Sequence, residues 1–164
     1  MEKERIKRKL KIYIDTSVVG GFFEKEFDVA TKALFQRLED KEIIFVVSDL
    51  LEQELQKAPQ HVRELLEKYK IEGGIEFAKL TDEAKTLADC YVAEGVMTAK
   101  YIDDCRHIAI ATINKIDILA SWNFKHIVNL NRIRRYNAVN LMNGYTFIEI
   151  RTPKELLDYE LDND

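Results

Sequence analysis

Leu10-Lys11-Ile12-Tyr13-Ile14-Asp15-Thr16-Ser17-Val18 is the stretch on which the fold turns. Leu10 to Ile14 is short and apolar-rich, as a buried strand is, and it ends on an aspartate. Ile43-Ile44-Phe45-Val46-Val47 is a continuous apolar run, the pattern of a strand covered on both faces, and Ile116 to Ser121 is a third convincing strand. Phe77 to Leu80 and Phe147-Ile148-Glu149-Ile150 read as shorter strands. Helical patterns lie between them. Asp28 is placed to cap a helix over Val29–Glu39, and Ser48 or Asp49 to cap one running through Glu54 to Lys57. Pro59 opens a helix with Val62, Leu65, Leu66 and Tyr69 on one face. Thr81 caps the next, with Ala84, Leu87, Ala88 and Tyr91 as its apolar stripe and Gly95 at its end. Helices over Lys100–Asn114 and Arg132–Leu141, a helical turn over Phe124–Val128, and a last helix begun by Thr152-Pro153 complete the pattern. Strands alternating with helices, the best of them apolar throughout, predict a three-layer α/β domain with a mainly parallel central sheet.

The 164 residues are 46% hydrophobic and 33% charged, which excludes long disorder and suits one globular domain able to bury its own core. There is no repeat, linker or low-complexity stretch, so residues 1–164 read as a single domain. Residues 1–9 form a charged N-terminal extension and 155–164 an acidic tail. Cys90 and Cys105 are too few for a disulfide framework and fit no metal-ligand spacing. No apolar run is long enough to span a membrane and the charged N-terminus has no apolar signal region, so the expected location is the cytoplasm.

A net charge of −4 argues at first against a nucleic-acid binder, but the charge is unevenly placed. Residues 105–154 hold eight basic residues against Asp117 and Glu149, a local charge of +6, while five acids crowd the tail. Arg132, Arg134 and Arg135 form a cluster in that basic segment, with Arg132 and Arg135 sharing one side of a helix.

Open α/β sheets bind ligands beyond the carboxyl ends of their strands. Asp15 follows the first strand there; Glu52 and Glu54 lie in the helix after the second; Asp103 and Asp104 begin the helix before the third; Ser121, Trp122 and Asn123 follow that strand. Each alone is explained by capping or solvation. Together the carboxylates suit a hard cation such as Mg²⁺ or Mn²⁺, and the chemistry such an ion supports is phosphodiester hydrolysis. No Gly-rich phosphate loop follows a strand, and Ser17 stands where a haloacid-dehalogenase phosphatase would need a second aspartate. His107 is read as a surface histidine, His61 and His126 as solvated, and Trp122 as a packing residue.

In these residues the chain resembles the PIN-domain family of metal-dependent ribonucleases, which includes VapC-type toxins of toxin–antitoxin pairs. Ile12-Tyr13-Ile14-Asp15-Thr16-Ser17-Val18 is similar to the family's opening strand and first acid. Val47-Ser48-Asp49-Leu50-Leu51-Glu52-Gln53-Glu54-Leu55 is similar to its second strand and helix, and the Glu-Leu step implies Glu54, not Glu52, as the second acid. Asp104-Cys105-Arg106-His107-Ile108-Ala109-Ile110-Ala111 resembles the helix that carries the third. Leu119-Ala120-Ser121-Trp122-Asn123-Phe124 stands in place of the family's Thr-x-Asp-x-x-Phe stretch, so Asn123 replaces the usual fourth aspartate. The stretch Ser121–Asn129 with Arg135-Tyr136-Asn137 resembles one branch of small bacterial or archaeal PIN proteins.

The resemblance implies an endoribonuclease in which Asp15, Glu54 and Asp104 hold Mg²⁺ or Mn²⁺ and Asn123 and Ser121 position a water. Thr16, Ser17 and Asp103 would support them, and Arg106, Lys125, Arg132 and Arg135 would contact RNA. It also implies an antitoxin partner and a homodimer, for which apolar Val18, Phe22 and Phe23 are candidate surface positions. The uncharged Asn123 motivates a competing expectation, a PIN-like module that binds RNA or protein without cleaving; an acid-cluster phosphatase is a third.

Overall fold

In the computed structural model, which describes residues 8–158, β1 (Leu10–Ile14) runs through the centre of the molecule. Its alternation places Ile12 and Ile14 in one core and Tyr13 in the other, all three buried. β2 (Ile43–Ser48) and β4 (Ile118–Ala120) pair with it on either side, β3 (Ile75–Ala78) lies beyond β2, and β5 (Glu149–Arg151) beyond β4. Every pairing is parallel, in the order β3-β2-β1-β4-β5.

Parallel neighbours need crossover connections, and helices supply them. α1 (Thr16–Gly21) and α2 (Asp28–Glu39) lead to β2, and α3 (Asp49–Leu55) and α4 (Gln60–Glu72) to β3. α5 (Asp82–Ala93), a 3₁₀ turn at Ala99–Tyr101 and α6 (Ile102–Ile113) lead to β4; α7 (Leu130–Met142) leads to β5, and α8 (Pro153–Asp158) follows. On one face of the sheet Val18, Leu34, Phe35, Leu66 and Leu156 pack on Ile12, Ile14, Phe45 and Val47. On the other, Leu87, Tyr91, Ile108, Tyr136 and Val139 pack on Tyr13, Val46 and Leu119. Each such side chain contributes about 1.5–3 kcal/mol by leaving water. The result is the three-layer architecture expected from the sequence. No helix among the described residues is long and apolar enough to cross a membrane.

The edges of the sheet differ from the sequence expectation. β5 begins at Glu149, opposite Ile118, and not at Phe147. Asn137 on α7 explains the shift: it accepts the Ile148 N–H at 2.8 Å and donates to the Ile148 carbonyl at 3.1 Å, so both main-chain polar groups of Ile148 are bonded to a helix side chain. β3, by contrast, starts earlier than expected, at Ile75, with Phe77 paired beside Val47 and more than half exposed. Asp28 is not a cap. It lies inside α2, and the preceding residue, Phe27, is held by its stack on Trp122 at 4.4 Å. Between the two candidates for α3, Ser48 caps, accepting the Leu51 N–H at 3.1 Å. Asp49 instead takes the Leu80 N–H at 2.8 Å and ties α3 to the chain after β3. Thr81 and Thr152 cap as expected, the latter in a reciprocal pair with Glu155. Residues 1–7 of the charged extension and 159–164 of the acidic tail lie outside the described residues.

Candidate active site

Chain order reverses at β1: β2 and β3 are added on one side, β4 and β5 on the other. The carboxyl ends of β1 and β4 therefore flank the switch point, where sheets of this kind form their ligand crevice. Asp15 follows β1 there and Ser121 follows β4. Asp15 has extended backbone and caps α1, so its carboxylate is aimed back over the helix N-terminus. It is only 4% exposed. One oxygen accepts the Ser17 hydroxyl at 2.5 Å and the Val18 N–H at 3.2 Å; the other accepts the Ser121 hydroxyl at 2.6 Å. Burial pushes the Asp15 carboxyl above its ordinary range, against the pull of His107 and of these bonds. Thr16 contributes no hydrogen bond from its buried hydroxyl.

Glu54, near the end of α3, reaches the same edge through a partner that sequence reasoning placed in solvent. His107 is buried, and its Nε2 is bonded to Glu54. Its Nδ1 lies 2.6 Å from the Tyr13 hydroxyl, which lies 2.7 Å from the Ser48 hydroxyl. The chain Ser48–Tyr13–His107–Glu54 thus joins β2, β1, α6 and α3. Burial alone pushes the His107 imidazole down, but the Glu54 bond and the charges of Glu54, Asp15 and Asp104 together raise it above its ordinary value. A signal for its burial was present: every residue from His107 to Thr112 is buried, and Ile108-Ala109-Ile110-Ala111 leaves α6 no polar face there.

A second histidine also departs from expectation. His126 is buried, its Nδ1 is 2.8 Å from the Asp104 carboxylate, and Tyr101 packs against its ring. Its main chain is held as well, since the Tyr136 hydroxyl donates to the His126 carbonyl at 2.9 Å. Asn123 accepts the His126 N–H at 3.0 Å through its side-chain oxygen, and its own N–H donates to Ser121 at 3.0 Å. Only His61 among the three histidines is exposed.

The remaining candidates separate. Asp103 points to solvent and pairs loosely with Arg106 at 3.8 Å. Glu52 is bound to Lys70, away from the site. Arg132 donates to the carbonyls of Lys125 at 3.0 Å and Val96 at 2.5 Å, and Arg135 to that of Gly95 at 2.7 Å, so both clamp α7 to the loop after α5. Lys125 is exposed beside the site. Val18 is fully buried and offers nothing to a dimer surface; Phe23 remains exposed. Burial pushes the Cys105 thiol up to about 12, which makes it inert.

Each of the three acids thus has its own support: Asp15 is held by Ser17 and Ser121, Glu54 by His107 and Asp104 by His126. They do not already enclose an ion: among the described residues no three His, Cys, Asp or Glu side chains stand close enough to share a metal. What they present is an oxygen-only donor set, the kind that hard divalent cations take.

The fold defines a class. It is the PIN-like α/β fold of VapC toxins, with a five-stranded parallel sheet between helical layers. One similar solved structure is *Mycobacterium tuberculosis* VapC20, a sarcin–ricin-loop-cleaving toxin, with a TM-score of 0.55 and 10% identity over 70% of this chain and 92% of that one. Another is VapBC2 from *Rickettsia felis*, bound to a DNA fragment from its promoter, with a TM-score of 0.58 and 12% identity over 87% of this chain and 98% of that one. No protein-family model and no curated protein sequence matches the chain.

Proposed function

We propose that the chain is an endoribonuclease that hydrolyses RNA phosphodiester bonds at the carboxyl edge of β1 and β4. The observation that carries this is the buried Asp15 carboxylate held by Ser17 and Ser121 at the switch point, with Glu54 on His107 and Asp104 on His126, on a fold shared with a toxin that cleaves the sarcin–ricin loop. Asp15, Glu54 and Asp104 would hold Mg²⁺ or Mn²⁺. A cation of that type supplies activation of water and polarisation of a phosphate. The other residues act on these three. Ser17 and Ser121 orient Asp15 through their hydroxyls, the Tyr13–His107 pair holds Glu54, and His126 holds Asp104. Asn123 has its oxygen engaged by the His126 N–H, which leaves its NH₂ to donate to a phosphate or a water. Lys125 and Arg106 are the cations best placed to meet the RNA backbone, with Arg132 and Arg135 adding field more than contact.

By its resemblance to the PIN-domain family, the chain would act in the cytoplasm as a homodimer and as the toxin of a pair with an antitoxin protein. The decisive experiment compares RNA cleavage in Mn²⁺ by the parent protein with that by Asp15→Asn and Asp104→Asn. Loss of cleavage in both variants is expected; cleavage equal to the parent's overturns the assignment. Thermal unfolding gives a second readout: millimolar Mn²⁺ raises the parent's Tm and not that of Asp15→Asn.

A further inference from the structure

Four residues beyond the end of β4, the chain leaves a large aromatic ring half exposed. Phe124 is 52% exposed, whereas Trp122 beside it is buried. The support behind Phe124 is rigid. The Trp122 indole N–H donates to Thr31 at 2.9 Å, its ring stacks on Phe27, and a Cβ on Gly21 would lie 2.7 Å from it. The rings of Trp122 and Phe27 stand 6.2 and 6.3 Å from that of Phe124. The turn itself is pinned: the Phe124 N–H donates to the Trp122 carbonyl at 3.0 Å, and the Asn123 carbonyl accepts the N–H groups of Ile127 and Val128. The ring is therefore backed by an aromatic pair and open to solvent.

Its position ties it to the acids. The Trp122 N–H donates at 2.9 Å to the same Ser17 hydroxyl that bonds Asp15. Exposed Lys125 follows Phe124 directly. The loop before Phe27, Glu24-Lys25-Glu26, is charged and exposed, so charged side chains adjoin the aromatic pair behind the ring. A stable protein interface buries about 800 Å² on each partner. An aromatic face of one ring beside a cation is instead the size of a nucleobase, and every base has a π-face to lay on it.

We propose that Phe124 is a stacking platform for an unpaired base of single-stranded RNA, next to the phosphate presented to the Asp15 edge. This rests on the ribonuclease assignment and adds to it a residue that holds one base in place beside the site.

The test uses the full chain and a single-stranded RNA dodecamer carrying one 2-aminopurine at successive positions. The parent and Phe124→Tyr quench the probe at one position; Phe124→Leu, which keeps apolar bulk but no π-face, does not. Phe124→Ala lowers affinity for the single strand by roughly 5- to 100-fold, the range for loss of one stacked base, and leaves duplex binding unchanged. Because the ring is exposed, all three variants keep the parent's thermal unfolding. Quenching by Phe124→Leu equal to the parent's, or no binding of the RNA by the parent, overturns the platform. Cleavage of the unlabelled RNA reads the nuclease assignment separately: cleavage without position-specific quenching overturns the platform and keeps the nuclease, and quenching without cleavage does the reverse.

Discussion

At Asp15 stability and chemistry oppose each other. Its carboxylate is buried, and burial is the largest influence on it, favouring the neutral form. Asp15→Asn keeps the shape and removes the charge, so it should raise Tm by roughly 2–4 °C, the shift that about 1 kcal/mol gives in a domain of this size, while abolishing RNA cleavage. Differential scanning calorimetry in metal-free buffer checks the first half. His107 makes the second residue-scale prediction. Its pKa is raised in the folded state, so its stabilising contribution is fully present below the unfolded value near 6.5 and is lost as pH rises through the folded value. Tm should therefore fall as pH goes from 6 to 9, and His107→Gln should flatten that slope. A parent Tm that rises over this range would contradict the pairing with Glu54.

At the scale of elements, the close approach of α1 to the segment after β4 decides whether the site edge is rigid. A methyl group on Gly21 would meet two ring atoms of Trp122 at 2.7 and 2.8 Å and the Thr31 hydroxyl at 3.2 Å. Trp122 cannot yield without losing its bond to Thr31 and its stack on Phe27. Gly21→Ala should destabilise by about 1–3 kcal/mol in urea unfolding, as overpacking does. It should also weaken Phe124 as a platform, because the rings behind it shift. Helix caps and apolar stripes were legible in the sequence because they depend on residues three or four apart: Thr81, Thr152 and the Ala84–Tyr91 stripe all stand as read. The edge strands were less so, since their limits are set by ladder partners and, for β5, by the Asn137 side chain on a different element.

For the whole molecule, the net charge of −4 describes no surface that RNA would meet. The relevant cations sit in the basic segment, and two of the four candidates, Arg132 and Arg135, already bond main-chain carbonyls. RNA affinity should therefore fall with salt with a shallow slope, about −1.5 to −3 in log K against log concentration, at roughly −0.7 per phosphate contact. Titrations from 50 to 300 mM KCl measure it. A slope steeper than about −5 would mean a far larger basic surface than the fold presents.

The sequence by itself determined the order of strands and helices, because apolar periodicities of two and of 3.6 are local properties of a chain. From that order the parallel sheet follows, and with it the placing of Asp15 and Ser121 at one edge; that their strands are neighbours was decided by the sheet topology. Which side chains hold which acids was decided only by the tertiary structure. Tyr13 meets His107 across 94 residues, His107 meets Glu54 across 53, and His126 meets Asp104 across 22. No local pattern encodes such pairs. The crossover connections bring α3 and α6 to the same edge of the sheet, and burial there makes each polar group find a partner, turning two histidines expected in solvent into the inner supports of the site.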